Sequence, residues 1–162
     1  MHPLAQEAAE FESALKCGLA TPDEVIDWAE SKFAGTSEYD DTLADLSICN
    51  GNSAKAILPL LQRISTGADE FAALRNTLGR MHASLQSDPT KGQYFAKFLY
   101  SQATIHDYDL PSDLHFMVGA EDDYYLAAQG YLDGVDSATE RLLDHLQPFN
   151  HERSEQDVDP NA

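Results

Sequence analysis

The sequence has few cysteines, few basic residues and no long apolar run. Two cysteines, Cys17 and Cys49, are too few for the disulfide scaffold of a small secreted domain. Ten Lys and Arg residues stand against 28 Asp and Glu, and the formal net charge of −18 excludes nucleic-acid binding through a broad basic surface. No stretch approaches the roughly 18 apolar residues that a membrane-spanning helix needs.

Motifs for catalysis and for metal or phosphate binding are also absent. The sequence contains no HExxH, no CxxC, no phosphate-binding loop and no GxSxG nucleophile turn. His106, Asp107 and Asp109 are candidate metal ligands by type, and a metal-dependent enzyme would require them. A turn of alternating acids is more often solvated. The acidic run that begins at Glu121 lacks the glycine and the distal glutamate of a calcium loop. We therefore expect a protein that is not an enzyme and that has no metal or cofactor.

The first residues, MHPLAQEAAEFESALK, show no basic segment followed by an apolar run. That combination marks a secretory signal peptide, so none is expected here. Together with the composition, this predicts a cytoplasmic protein that binds neither nucleic acid nor a membrane.

The patterns that are present are helical. Hydrophobic residues make up 43% of the chain, which is enough for a core, and alternation typical of strands is missing. Thr21-Pro22-Asp23-Glu24 has the form of a capping box, and Asp88-Pro89 repeats the cap-plus-proline signal. The sequence predicts an all-α fold of seven to eight short helices packed as antiparallel pairs. We expect one domain over residues 1–149 and a disordered acidic tail over residues 150–162.

Several helix boundaries follow from local signals. A helix is expected over Asp41–Cys49, with Ser53 as the cap of the next one. Pro59 lies inside that next helix and is expected either to kink it or to restart it. A further short helix is expected over Asp123–Tyr131.

The charge is unevenly distributed along the chain. Residues 1–49 carry −9, residues 50–105 carry +3 and residues 106–162 carry −12. Five tyrosines lie between residues 100 and 131, interleaved with acids, and tyrosine is enriched at protein interfaces. A surface of acids and tyrosines fits a basic protein partner. The expected contact residues are Asp107, Tyr108, Asp109, Asp113, Glu121, Asp122, Asp123, Tyr124 and Tyr125. In the alternative interpretation, Tyr124 or Tyr125 fills the core and the acids only face water.

Two stretches resemble a family of small helical bacterial proteins. The first is FESALKCGLATPDEVIDWAESKF, in which a helix ends in Gly-Leu before a Thr-Pro-Asp turn. The second is FLYSQATIHDYDLPSDLHFMV, with its Tyr108-Asp109-Leu110-Pro111 segment. Small acidic proteins of this kind often accompany polymorphic toxins as immunity proteins, and the family brings no catalytic residues.

The resemblance implies an immunity protein that neutralises a cognate toxin. Because no signal peptide is expected, that toxin is expected to act in the cytosol. Because nuclease surfaces must be basic, a nuclease is the partner that best fits a charge of −18. An acidic secretion chaperone for an effector protein is the main alternative, and a DNA mimic that inhibits unrelated DNA-binding proteins is a narrower one. The oligomeric state is left open.

Overall fold

The computed structural model describes residues 3–37, 40–49 and 53–150, and within them it is all-helical. No strand occurs in this part of the chain, as predicted. The eight α-helices are α1 (Pro3–Lys16), α2 (Pro22–Gly35), α3 (Asp41–Ser47), α4 (Ala54–Ile64), α5 (Glu70–Ser87), α6 (Gly92–Ile105), α7 (Ala120–Ala128) and α8 (Val135–Leu146). Three short 3₁₀ helices accompany them, Pro89–Lys91, Ser112–Val118 and Gln147–Asn150.

The chain divides into two compact units, residues 1–77 and 78–162, and helix α5 belongs to both. The single domain predicted over residues 1–149 stays a prediction. The predicted tail lies outside the described residues, except for Asn150. That residue ends the 3₁₀ helix Gln147–Asn150, so the helical part extends one residue further than predicted.

In the first unit, α2 packs on α3 and α1 packs on α4, with α3 also contacting α4. The buried side chains at their contacts are Leu15, Val25, Leu43, Leu46, Ile57 and Leu61. Each such aliphatic side chain stabilises the unit by about 1.5–3 kcal/mol on burial. The pairing of α1 with α4 joins elements far apart in the chain, which helical periodicity alone does not predict.

The ends of the first helices follow the predicted chemistry. Gly18 has a φ of 73°, and the N–H of Leu19 donates to the carbonyl of Ala14 at 2.8 Å. This is the arrangement in which a glycine ends a helix, because glycine alone enters the left-handed region without steric cost. The capping box of α2 is also confirmed. Glu24 N–H donates to the Thr21 hydroxyl at 3.3 Å, and Thr21 N–H donates to the Glu24 carboxylate at 2.6 Å.

Other boundaries differ from the sequence-based prediction. Helix α4 continues through Pro59 and does not restart there, while the expected kink stays a prediction. Pro59 lies on the exposed side of the helix together with Lys55, whose carbonyl loses its helical partner. Ser53 occupies the N-cap position of α4, but its side chain makes no capping hydrogen bond. Helix α3 ends at Ser47, two residues before the predicted end. Helix α7 begins at Ala120 and ends at Ala128, about three residues earlier than predicted at both ends.

The second unit is built around α6. Helix α7 packs on α6 and α8, and the 3₁₀ helix Ser112–Val118 packs on α6 and α7. Its fully buried side chains include Phe95, Leu99, Leu114, Met117 and Leu146. No helix among the described residues is long and apolar enough to cross a membrane.

Candidate functional site

The predicted contact residues lie on three consecutive segments of the second unit. Asp107, Tyr108 and Asp109 form the turn after α6, Asp113 lies in the 3₁₀ helix Ser112–Val118, and residues 121–125 belong to α7. Because α7 and the 3₁₀ helix both pack on α6, the three segments are neighbours in space.

The turn after α6 has an uncommon backbone. Asp107 and Tyr108 have φ values of 52° and 61°, in the left-handed region that disfavours side chains. The N–H of Tyr108 donates to the carbonyl of Ala103 at 2.8 Å, and the N–H of Asp107 donates to that of Thr104 at 3.0 Å. This is the same helix ending as at Gly18, with an aspartate in the place of the glycine. The turn therefore reverses the chain and brings Tyr108 back over the last turns of α6.

Tyr108 meets Tyr100 of α6 there. Their hydroxyl oxygens lie 3.2 Å apart, and their ring centroids are 6.3 Å apart with the ring planes tilted by 52°. Tyr108 is 47% exposed. Tyr100 is not among the contact residues expected from the sequence. No sequence signal pointed to it, because the reversal that returns residue 108 to the level of residues 100–104 depends on an aspartate in the left-handed region, where glycine would be expected.

Carboxylates of α7 lie within electrostatic range of this pair. The pKa of Tyr100 is raised, first by the hydrogen bond with Tyr108 and by that residue's charge, and further by the charges of Asp122 and Glu121. The pKa of Tyr108 is lowered, chiefly by its hydrogen bond with Tyr100 and by an interaction with the Thr104 hydroxyl. Two negative charges of the first turn of α7 therefore act on Tyr100.

Helix α7 extends this surface with an exposed face. Asp122 and Tyr125 are three residues apart and so are neighbours on the helix, and Glu121 precedes Tyr125 by four. Tyr125 is 63% exposed, and Leu126 beside it is 39% exposed. We call Tyr100, Asp107, Tyr108, Glu121, Asp122 and Tyr125 the acidic tyrosine surface.

Tyr124 does not belong to this surface. Its side chain is 3% exposed, and its hydroxyl lies 2.8 Å from the hydroxyl of Thr139 on α8. Thr139 donates its own proton to the carbonyl of Val135 at 3.0 Å, so Tyr124 is the donor between the two hydroxyls. Burial raises the pKa of Tyr124. Of the two tyrosines, Tyr124 fills the core and Tyr125 faces solvent, which removes Tyr124 from the predicted contacts.

The remaining predicted acids are placed differently. The Asp123 carboxylate lies 3.8 Å from Nη1 of Arg141 on α8. Asp109 and Asp113 are exposed on either side of the buried Leu110. Glu121, Asp122 and Asp123 all lie in the first turn of α7, where the helix dipole favours negative charge.

The arrangement is suited to binding a cation. Asp107, Glu121 and Asp122 form no ion pair with any described residue. Within residues 3–37, 40–49 and 53–150, no group of three or more metal-ligating side chains is placed to hold a metal ion. A partner that carries positively charged side chains would supply the missing opposite charge.

Comparison with known proteins adds no assignment to this geometry. No family model matches the chain, and no curated protein and no solved structure matches it either.

Proposed function

We propose that the chain is an immunity protein, which binds a cognate toxin and blocks the basic active-site surface of that toxin. The observation that carries the proposal is the acidic tyrosine surface. There, exposed phenol rings lie next to carboxylates that have no positive partner within the described chain. The toxin would act in the cytoplasm, and binding would need neither metal nor cofactor.

Physical reasons favour this combination of side chains at an interface. Tyrosine contributes a large apolar area and a polar tip while losing little conformational entropy. Carboxylates attract a basic partner over long distances and speed its association. A toxin that acts on a phosphate-bearing substrate must itself present a basic surface. A nuclease is therefore the partner class that we propose.

The test is co-expression with the protein encoded by the neighbouring gene, followed by capture of the complex at low and at high salt. We expect a stable 1:1 complex that weakens as salt rises, because exposed charges are screened. If the partner is a nuclease, its activity should fall in proportion to the amount of complex. No complex at either salt concentration would overturn the proposal. Capture of an extended segment of the partner, without inhibition, would instead favour a secretion chaperone.

Two double variants, each of which removes two negative charges, distinguish the effect of the acidic tyrosine surface from the effect of net charge. Glu121→Gln/Asp122→Asn neutralises two acids of the acidic tyrosine surface. Glu140→Gln/Asp144→Asn neutralises two exposed acids of α8, outside that surface. If the acidic tyrosine surface binds the toxin, the first pair weakens the complex and the second pair changes it little. Equal losses would mean that only net charge matters.

A further inference from the structure

The phenol rings of Tyr100 and Tyr108 are held in place by backbone and side-chain contacts. The turn at Asp107 fixes the position of Tyr108, and the bond between the two hydroxyls fixes one ring against the other. Ring centroids 6.3 Å apart at a tilt of 52° place two electron-rich faces close together. The face of an aromatic ring attracts a cation.

Three carboxylates lie within electrostatic range of these rings. The charges of Glu121 and Asp122 act on Tyr100, and the charge of Asp107 acts on Tyr108. Asp123, the next residue of α7, has Arg141 nearby, whereas these three carboxylates have no cation among the described residues. Rings and carboxylates together therefore form a place for a positively charged group that is open to solvent.

The chemistry of the place distinguishes between the two basic side chains. A guanidinium is planar and weakly hydrated, so it stacks on a phenol face while its N–H groups donate to a carboxylate. The ammonium group of lysine is a compact, strongly hydrated charge and gains less from a ring. We propose that Tyr100, Tyr108, Glu121 and Asp122 bind an arginine side chain of the basic partner.

This inference rests on the proposed function and names the group recognised at its site. A second copy of the chain is a poor occupant, because each copy carries a net charge of −18 and the copies repel. A basic protein partner with an exposed arginine has the complementary charge, and it is the occupant to which the proposal commits.

The test uses two probes, a tetra-arginine amide peptide and a tetra-lysine amide peptide, titrated into the full chain by calorimetry. We expect the arginine peptide to bind more tightly, because only a guanidinium can stack on a phenol ring and also donate two parallel hydrogen bonds to a carboxylate. Tyr108→Asn should weaken arginine binding about three- to fivefold and bring it close to the lysine value. Asparagine is chosen because it tolerates the positive φ at this position. Asp122→Asn should also weaken arginine binding more than lysine binding.

Control variants change the same residue types elsewhere in the second unit. Tyr131→Asn alters a tyrosine that is 72% exposed, and Asp144→Asn removes an exposed acid of α8. Both should leave the ratio of the two peptide affinities unchanged. Far-UV circular dichroism and a thermal melt establish that each variant is folded.

Two outcomes would overturn the inference. One is equal affinity for the two peptides, and the other is an arginine preference that survives in folded Tyr108→Asn. The proposed function would still stand after either result, provided that the protein encoded by the neighbouring gene binds this chain and is inhibited by it. If the unaltered chain forms no complex with that protein, the proposed function is overturned, whatever the peptide titrations show.

Discussion

The hydroxyl of Tyr124 on α7 donates a hydrogen bond to the hydroxyl of Thr139 on α8, directly beside the backbone of Gly92 at the start of α6. A Cβ atom placed on Gly92 would collide with the Tyr124 hydroxyl and would lie 3.3 Å from Oγ1 of Thr139. Three helices therefore meet at a point where one of them has no side chain. Because Gly92 has no side chain, Tyr124 can be buried there and still keep its hydroxyl hydrogen-bonded.

Gly92→Ala should destabilise the protein by about 1–3 kcal/mol, because the added methyl overpacks a contact that cannot relax cheaply. Tyr124 is 3% exposed and bonded to Thr139, so its ring cannot swing aside. Urea denaturation measures the loss. Gly35→Ala is the control, since it lies at the end of α2 with nothing within 4 Å of its added Cβ. The control should be neutral or slightly stabilising, and equal losses in both variants would contradict the close contact.

Tyr124 should also lower the free energy of unfolding at alkaline pH. Burial raises its pKa above the ordinary value of 10.0, so the folded state holds the phenol proton more tightly than the unfolded chain does. This contribution to the free energy of unfolding is complete below pH 10 and is lost as pH rises through the folded-state pKa. Tyr124→Phe should cost about 1 kcal/mol at pH 7 and should make the loss above pH 10 less steep.

Unfolding measured in urea at several pH values from 7 to 11 tests this pH dependence. Tyr125→Phe is the matched control, because Tyr125 is the next residue and is 63% exposed. It should have the same pH profile as the unaltered chain. If the free energy of unfolding of Tyr124→Phe falls as steeply above pH 10 as that of the unaltered chain, the buried phenol is not the cause of the fall.

The turn after α6 contains a chain reversal and a tyrosine pair that the sequence did not predict. The sequence indicates that the helix pattern fails near residue 107, and α6 does end at Ile105. A helix that closes in this way normally has glycine after its cap, as α1 does at Gly18. Asp107 carries no such signal, so neither the reversal nor the pairing of Tyr108 with Tyr100 could be derived. The exposure of Tyr125 and the burial of Tyr124 were likewise open, because the two tyrosines are adjacent and either side chain suits a core or an interface.

Asp107→Gly should stabilise the protein by about 0.5–1 kcal/mol, because relief of the steric cost that aspartate bears at a φ of 52° exceeds the loss caused by the greater freedom of the unfolded chain. Asp109→Gly is the control, since it removes the same charge from the same turn at a position without positive φ. The control should lose stability through the greater freedom of its unfolded chain. Midpoints of urea denaturation compare the two, and destabilisation by Asp107→Gly would contradict the prediction.

Trp28 is the only tryptophan of the chain and reports on the first unit. Its indole N–H donates to Glu7 at 2.8 Å, and its ring lies 5.2 Å from that of Phe11. If residues 1–149 form one cooperative domain, Trp28 fluorescence and far-UV circular dichroism should give coincident unfolding transitions. Helix α5 is the physical reason, because it belongs to both units and neither unit can unfold without disrupting it.

Gly92→Ala sharpens this prediction, since the substitution lies in the second unit and the fluorophore in the first. The Trp28 transition should shift to lower urea by as much as the circular dichroism transition. A Trp28 transition that stays in place while the circular dichroism transition splits would show that the units unfold independently, and the single domain would be wrong.

Neutralising Glu121 and Asp122 together should slow association with the proposed toxin by roughly tenfold at low salt, with a smaller change in dissociation. Asp123 is a poorer choice for this experiment, because its carboxylate also faces Arg141 and its loss would disturb the contact of α7 with α8. Stopped-flow association at two salt concentrations measures the effect. A change confined to the dissociation rate would contradict steering through these two acids.

Tyr125 should behave in the opposite way, because an aromatic anchor acts after the encounter. Tyr125→Ala is expected to weaken the complex with the toxin by about 2 kcal/mol, almost entirely through faster dissociation. Tyr125 is 63% exposed in the free chain, so its truncation leaves no cavity and should leave the free energy of unfolding nearly unchanged. Tyr131→Ala is the control, since Tyr131 is more exposed still, at 72%, and lies beyond the end of α7. If the two substitutions weaken the complex equally, binding uses the tyrosines of this unit without distinction. If neither weakens it, the exposed face of α7 is not where the toxin sits.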